Sequence, residues 1–221
     1  MSYQFRWDIV VSNFPFLLAG LWETLLISAV TLILAMLGGL LIVSLDMSQS
    51  RPVRAISIGF GEIVRNTPIL VQLLWIYYVL PMAFDVQISA FVGAIVGLSV
   101  YASAFIGEVY RAGIQGVPKG HREAAAVLGM SKLHTFGRIV LPQAFRASLP
   151  PLASNFVQLI KYSSLASVLS VPEITRKGIE LASSTFRPLE IFTFIAVVYF
   201  CICWPLSLSI RWFEGRSLQR R

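Results

Sequence analysis

The sequence has little charge for its length. Only 13% of its 221 residues are charged, whereas 56% are hydrophobic and the mean hydropathy is +0.73. Soluble domains contain about 25% charged residues, so this composition excludes an ordinary water-soluble protein and indicates one embedded in a lipid bilayer. The length suits one domain, and we expect a single transmembrane domain over residues 1–221 with no separate nucleotide-binding domain.

Cysteines are scarce, and a phosphate-binding loop is absent. Cys201 and Cys203 lie two positions apart in an apolar run, where a helix points them to different faces, so we expect neither a disulfide nor a metal site. The spacing Gly-x4-Gly-Lys-Ser/Thr does not occur, and the run from Gly129 to Lys132 lacks both that spacing and a preceding strand. The sequence therefore predicts no catalytic residue, no cofactor in this chain and no ATP hydrolysis by it.

Long apolar runs are what the sequence has in abundance. A membrane-spanning helix needs about 20 mostly apolar residues. Five runs are long enough, over residues 17–45, 56–80, 88–107, 139–160 and 191–210. Glu62 and Arg65 interrupt the second run and three prolines interrupt the fourth, which membrane helices tolerate when neighbours satisfy the freed carbonyls. The sequence thus predicts an all-α integral membrane protein with about five transmembrane helices and a core of about residues 17–212.

The distribution of Lys and Arg predicts the orientation. An excess of 18 basic over 11 acidic residues gives a net charge of +7, but these residues lie between apolar runs, where they mark cytoplasmic loops. They cluster after the first run, between the third and fourth runs, and in the tail: Arg51, Arg54, Arg111, Lys119, Arg122, Lys132, Arg138, Arg146, Arg211, Arg216, Arg220 and Arg221. We therefore expect an N-terminus outside, a cytoplasmic C-terminus and no nucleic-acid partner.

Residues 161–188 do not fit this distribution. They contain Lys161, Arg176, Lys177 and Arg187 yet fall on the outer side. Their apolar stretch, residues 165–171, is too short to cross the bilayer. We expect a re-entrant or loop element on the outer side.

One basic loop contains the most informative pattern in the chain. Glu123, Ala124 and Ala125 are followed by Gly129 and then by Ile139-Val140-Leu141-Pro142, which together fill the pattern E-A-A-x3-G-x9-I-x-L-P. An ordinary helix–turn–helix, with alanine and glycine serving packing, could contain parts of it. The complete pattern resembles the signature of permease subunits of ATP-driven (ABC) importers, and the wider sequence is similar to the polar amino-acid uptake family.

This resemblance implies a function and a set of partners. The chain would move polar or charged amino acids inward across the bacterial inner membrane by alternating access. Residues of about 111–142 would form a cytoplasmic coupling loop, in which Glu123, Ala124, Ala125 and Gly129 couple the chain to an ABC ATP-binding subunit. Two copies of that subunit would bind ATP and Mg²⁺. A second permease subunit, identical or similar, and an extracytoplasmic solute-binding protein would complete the complex in the lipid bilayer.

The residue chemistry of the loop agrees with such a role. Pro118 and Gly120 are expected to end the preceding helix, and Glu123 to lie in the first turn of the next, where the helix dipole favours a carboxylate. The alanines after it have almost no side chain, so a partner surface can approach closely. Gly129 suits a left-handed C-terminal reversal and Ser131 can cap a further helix.

A second pattern, Arg65-Asn66-Thr67-Pro68, resembles the R-x-T-P-x-x-V-Q stretch of the same family. Pro68 disfavours a helical residue before it, and we expect it to begin a new half-helix capped by Thr67. A broken helix near mid-membrane offers free N–H groups to a carboxylate, with Arg65 adding charge and Glu62 one turn earlier. We therefore predict substrate binding by these five residues. The alternative is a structural Glu62–Arg65 pair that steadies a proline kink.

A third stretch, Lys161-Tyr162-Ser163-Ser164-Leu165, is similar to a family stretch that usually reads K-D-T-S-L. We predict that Lys161, Ser163 and Ser164 contribute to the substrate site. Tyr162 stands where the family has Asp, which argues against an acidic contact there and against a basic substrate. These residues could also merely satisfy a broken backbone.

Two further features are expected to be structural. Glu108 and Arg111 with Gly113 resemble the family's E-x-x-R-x-G, and we expect a helix-end ion pair or a snorkelling Arg there. Gly93, Gly97 and other small residues of the third run, Ser99, Ser103 and Gly107, predict close helix packing.

Two other classes of membrane protein fit the sequence less well than an importer permease. A small secondary transporter or channel subunit not coupled to ATP would need no such loop and usually shows an internal hydropathy repeat, which we do not find. A non-transporting scaffold would leave the charges inside the membrane as an unexplained cost.

Overall fold

The chain is described here by a computed structural model that covers residues 4–218, with side chains as far as Trp212. All regular structure in these residues is helical. The helices, in chain order, are α1 Asp8–Ser12, α2 Phe14–Asp46, α3 Arg51–Asn66, α4 Ile69–Phe84, α5 Ala90–Gln115, α6 Lys119–Val127, α7 Lys132–Thr135, α8 Leu141–Tyr162, α9 Ile174–Thr185 and α10 Pro188–Leu218. A π-helical turn, Trp75–Val79, lies within α4, a second, Phe136–Val140, joins α7 to α8, and a 3₁₀ segment, Ser163–Leu169, follows α8.

Helices α2 and α5 run parallel at the centre of the bundle and approach closely through small residues. A Cβ added to Gly39 would lie 2.7 Å from the Ile106 side chain, and one added to Gly107 would lie 2.9 Å from the Ile42 side chain. Helices in a membrane associate through such close van der Waals packing. The prediction that the small residues of the third apolar run serve packing is confirmed.

The predicted run over residues 56–80 is two helices, not one. Helices α3 and α4 meet at an angle of 109° across the break at Thr67 and Pro68. Pro68 has an extended backbone (φ −61°, ψ 132°), as expected where proline cannot continue a helix. The break therefore lies where the sequence predicts it, but the bend is far sharper than a kink in one spanning helix.

Residues 163–174, in the segment expected to be a re-entrant or loop element, form part of the core. Ala166, Leu169 and Val171 are buried in the largest apolar cluster. The cluster takes its other buried members from α2, α4 and α5: Ile27, Leu73, Ala94, Ile95 and Leu98. Helix α9 then packs against the first half of α2, where Gly20 meets Ile174, and against α10.

The described residues contain three helices long and apolar enough to span a membrane, namely α2, α5 and residues Pro188–Trp212 of α10. The bent pair α3 and α4 could form a fourth span. Helix α8 is continuous where the fourth run predicts a span, but its prolines and polar residues keep it out of this set. The structure thus shows an all-helical protein with three to four candidate spans.

Candidate functional site

Helix α6 is the centre of the loop that contains the E-A-A pattern, and it begins earlier than predicted. Pro118 precedes the helix with an extended backbone (φ −53°, ψ 135°). Gly120 lies inside the helix instead of ending the previous one, and Glu123 is its fifth residue, beyond the first turn. Both predictions were wrong because the preceding helix already ends at Gln115, and a helix tolerates glycine at an exposed position at modest cost.

The C-terminal end of α6 is a glycine-dependent reversal, as predicted. Gly129 has φ +74°. The N–H of Met130 donates to the carbonyl of Ala125 at 3.0 Å, and that of Gly129 donates to Ala126 at 3.0 Å. These two bonds define a Schellman motif. The predicted cap of the next helix is also confirmed, since Ser131 Oγ accepts a hydrogen bond from the N–H of His134 at 3.3 Å.

The exposed surface of this loop is partly apolar. Glu123, Ala124 and Ala126 are exposed, whereas Ala125 is 1% exposed and faces the chain's own interior. Beside them lie three large apolar side chains that are about four-fifths exposed or more: Val127 at 88%, Leu128 at 79% and Leu133 at 83%. We call Glu123, Ala124, Ala126, Val127, Leu128 and Leu133 the loop patch. An apolar patch on a basic loop indicates a surface that another protein covers.

Two side chains of α6 attach it to the neighbouring helices, and the sequence reasoning missed both. The Arg122 guanidinium donates to the carbonyl of Ile114 in the last turn of α5 at 2.6 Å. His121 Nδ1 lies 3.0 Å from Oε1 of Gln143, in the first turn of α8. Their position directly before Glu123 was visible in the sequence, but their partners lie at helix ends that only the fold brings close.

At the break between α3 and α4, the side chains bond backwards to the end of α3. Thr67 Oγ1 donates to the carbonyl of Ile63 at 2.8 Å, and Asn66 Nδ2 donates to that of Glu62 at 2.8 Å. Pro68 precedes α4, and no side chain caps that helix. The prediction that Thr67 caps the second half-helix is therefore wrong. The last carbonyls of α3 have no intrahelical partner, so the Thr67 hydroxyl donates to one of them instead of capping α4.

Gln72 closes the same break from the other side, a role the sequence reasoning did not assign. Its Nε2 lies 2.7 Å from the carbonyl of Val64, 3.0 Å from that of Thr67 and 2.7 Å from Thr67 Oγ1. The side-chain amide thus ties the start of α4 to the end of α3. Free carbonyls are costly away from water, which explains why three side chains, those of Asn66, Thr67 and Gln72, donate to carbonyls at this break.

The charged residues of the break form a ladder between α3 and α5. Arg65 contacts Glu62 at 2.8 Å and Glu108 at 3.9 Å, and Glu108 contacts Arg111 at 2.7 Å. Arg65 also donates to the carbonyl of Ala104 at 3.4 Å, near the middle of α5. The predicted Glu108–Arg111 ion pair is confirmed. The Glu62 side chain remains 59% exposed although it is paired.

The third predicted stretch lies at the end of α8 and also reaches α5. Lys161 is exposed and makes no ion pair within residues 4–212. Ser163 is buried and donates to the carbonyl of Ile160 at 2.8 Å, and Ser164 donates to that of Lys161 at 2.7 Å. Both hydroxyls therefore satisfy the end of α8.

The structure brings both predicted stretches to the middle of α5 without joining them. The Tyr162 ring meets that of Tyr101, with centroids 5.7 Å apart, one turn from Ala104, where Arg65 binds. Within the described residues, no hydrogen bond links residues 62–68 to residues 161–164. Both stretches contact α5, one turn apart along it.

Buried carboxylates away from the break are structural. Glu173 is fully buried before α9, where it accepts from the N–H groups of Thr175 at 2.9 Å and Arg176 at 2.7 Å. Glu190, also fully buried, accepts from the N–H of Arg6 at 2.9 Å. In the part of the chain that the structure describes, no group of three or more His, Cys, Asp or Glu could hold a metal.

Comparisons with known proteins agree with one family. Residues 32–219 match the model of the binding-protein-dependent transport system inner membrane component. The L-cystine transport system permease protein TcyB of Bacillus subtilis is 39% identical over 95% of this chain and 90% of its own length. The glutamine transport system permease protein GlnP of Escherichia coli is 37% identical over 96% and 98%. The crystal structure of an amino acid ABC transporter with histidines contains a chain with a TM-score of 0.92 and 33% identity, covering 97% of this chain and 100% of that one.

Proposed function

This chain belongs to the family of binding-protein-dependent transport system inner membrane components, which makes it a multi-pass permease subunit of the inner membrane, and we propose that its cargo is a polar amino acid. The observation that supports this cargo is the near full-length similarity to permeases named for L-cystine and glutamine. The solved transporter whose chain superposes over 97% of this one is likewise an amino acid ABC transporter. Inward movement would be driven by ATP through alternating access.

The loop patch supports a specific partner. It presents exposed apolar side chains on a short helix, the form in which an amphipathic helix docks into a groove. The ABC ATP-binding subunit of the importer is its expected occupant, with Glu123 beside the apolar residues. In this proposal ATP and Mg²⁺ bind that subunit, in two copies, and this chain hydrolyses nothing.

The exposed polar residues of the break support a second permease subunit. Glu62, Asn66 and Thr67 are exposed in the single chain, yet Arg65 reaches the middle of α5 from this place. Charged and amide groups facing lipid at such depth are costly. A second permease, identical or similar, would cover this face and enclose an aqueous path between the two subunits.

In this proposal α8 also spans the membrane, fourth in chain order, which gives five spans in all. The N-terminus then lies outside and the C-terminus lies in the cytoplasm. The basic residues of the E-A-A loop and of the tail then share the cytoplasmic side. Helix α9 packs against the first half of α2, away from the loop, so it would face the solute-binding protein on the outer side.

The substrate path would pass the break. Glu62, Arg65, Asn66, Thr67 and Pro68 line it in this proposal, and the free N–H groups that begin α4 would receive a carboxylate. The segment that ends α8, which contacts α5 one turn away, would close the site through Lys161, Ser163 and Ser164. The hydroxyls and amide of the break keep its geometry while Glu62 remains exposed toward the path.

Reconstitution tests this function directly. The chain would be purified with its ATPase subunits and placed in proteoliposomes with ATP and Mg²⁺ on the ATPase side and the solute-binding protein on the other. Labelled glutamine, cystine, histidine and arginine are offered in turn, and ATP-dependent uptake of at least one is expected. Uptake that persists without ATP and follows an imposed ion gradient would refute the proposal.

A further inference from the structure

The coupling helix α6 is fixed to the rest of the chain at very few points. Of its nine residues, only Ala125 is buried. The helix is flanked by the extended Pro118 and by the left-handed Gly129. A helix so exposed transmits a movement only through the places where it is attached, so those places decide how the motion of a partner reaches the membrane.

The first attachment leads to α5. The Arg122 guanidinium donates to the carbonyl of Ile114 at 2.6 Å, one of the last carbonyls of α5, which lack an intrahelical partner. Basic groups are favoured at this end of a helix because the dipole is negative there. The bond is charge-assisted and therefore among the stronger hydrogen bonds.

The second attachment leads to α8. His121 Nδ1 lies 3.0 Å from Gln143 Oε1, and the other end of that amide donates to the carbonyl of Ile139 at 2.8 Å. Consecutive residues of a helix point about 100° apart, which is why neighbours in sequence reach two different helices. A small apolar cluster of Val117, Val140 and Ala144 holds these two helix ends together.

We propose that Arg122 and the His121–Gln143 pair are positioning residues that make α6, α5 and α8 move as one lever. Helix α5 leads to Ala104, which binds Arg65 at the break, and α8 leads to Tyr162, which contacts Tyr101. The two attachments therefore connect the loop to both flanks of the proposed substrate path. This inference rests on the proposed coupling function of the loop.

The test uses the whole complex in proteoliposomes and measures substrate transported per ATP hydrolysed. Arg122→Gln and, separately, His121→Leu should lower this ratio about tenfold, the size of a typical coupling energy between sites, while the ATPase subunit still co-purifies. His121→Asn should restore the ratio, because its amide nitrogen occupies nearly the place of Nδ1. Arg138→Gln removes a positive charge from an exposed side chain without a hydrogen bond among the described residues and should leave the ratio unchanged.

Three outcomes decide the inference. A normal ratio in both Arg122→Gln and His121→Leu overturns it, and so does equal loss in His121→Leu and His121→Asn. Loss of ATPase co-purification in both attachment variants also overturns it, because the residues would then only maintain the fold of the loop. Leu128→Asp distinguishes failure of this inference from failure of the proposed function. If that substitution in the loop patch leaves ATPase binding intact, the docking proposal itself fails.

Discussion

Two helix ends in this chain solve the same problem by different means. The last carbonyls of α6 are satisfied by the backbone of Met130 and Gly129 through a left-handed turn. Those of α3 are satisfied by the side chains of Asn66, Thr67 and Gln72. An end in water can leave the remaining carbonyls to solvent, whereas an end at membrane depth cannot. In the proposed topology the end of α3 lies at membrane depth, and its side-chain donors would meet that requirement.

The difference also separates two uses of a sequence pattern. In the loop, most patterned residues are turned outward, and Gly129 alone shapes the backbone. At the break, the hydroxyl and both amides are occupied by the chain's own carbonyls, so their first role is to hold a bend of 109°. Removing the Gln72 amide, which donates to two carbonyls at the break, should consequently cost more than a substitution in the loop.

The largest effect is expected for Gln72→Leu, which leaves the carbonyls of Val64 and Thr67 without their donor. Val64 is a buried residue, and an unsatisfied buried acceptor costs about 1–3 kcal/mol, so we expect a clear fall in the thermal midpoint of the purified chain and loss of uptake. Gln158→Leu is the matched control, because Gln158 is exposed on α8 and its amide makes no hydrogen bond among the described residues. Equal stability of the two variants would remove the distinction between the two helix ends.

Next in size is Gly129→Val. A residue with a Cβ in the left-handed region costs about 1–2 kcal/mol, and more when it is β-branched. Nothing lies within 4 Å of an added Cβ, so the effect comes from the backbone alone. We expect the protein to insert normally, to bind its ATPase subunit weakly and to transport poorly. Gly120→Val, at an equally open helical position, should transport well, and normal transport by Gly129→Val would show that this loop does not couple.

The sequence predicts these two ends with unequal success. A glycine at position 129 indicates a left-handed turn, and a proline at position 68 indicates a helix break, so both positions were predictable. The direction of the Thr67 hydrogen bond was not, because it depends on which side of the break lacks partners. The start of α6 was placed too late, after Gly120 instead of at Lys119, because Gly120 was given too much weight as a helix breaker at an exposed site.

What the sequence could not predict depends on distant parts of the chain. Residues 165–171 appeared too short to cross and were assigned to a re-entrant or loop element, and in the structure they fill a cluster whose other buried members come from α2, α4 and α5. The attachments of Arg122 and His121 depend on the ends of α5 and α8 meeting at Val117 and Ala144. Such contacts follow from the fold and leave no local pattern of residue types.

A smaller effect is expected for Thr67→Val. It keeps the shape of the side chain but removes the hydroxyl that donates to Ile63 and accepts from Gln72, a net loss of about 0.5–1.5 kcal/mol per bond. Uptake should weaken several-fold while ATPase co-purification is unchanged, and Thr67→Ser should behave like the wild type. If Thr67→Val also abolished ATPase binding, the break and the loop would not be separate units.

The smallest effect on stability, and the sharpest on substrate, is expected at the charged ladder. Glu62 is largely exposed although it pairs with Arg65, and exposed ion pairs contribute little to stability. Glu62→Gln should therefore leave the thermal midpoint unchanged but raise the substrate KM, because the proposed path loses the carboxylate that would meet the substrate's ammonium group. Glu180→Gln is the control, since it breaks a similarly exposed pair with Arg176 on α9 and should alter neither quantity.

Adding Arg65→Gln to Glu62→Gln separates the two roles of the pair. If the pair only steadies the break, the double variant regains normal uptake with unchanged substrate affinity, and Glu62 is then no part of the path. If Glu62 meets the substrate, the double variant stays impaired, because restoring charge balance within the ladder does not restore the missing carboxylate.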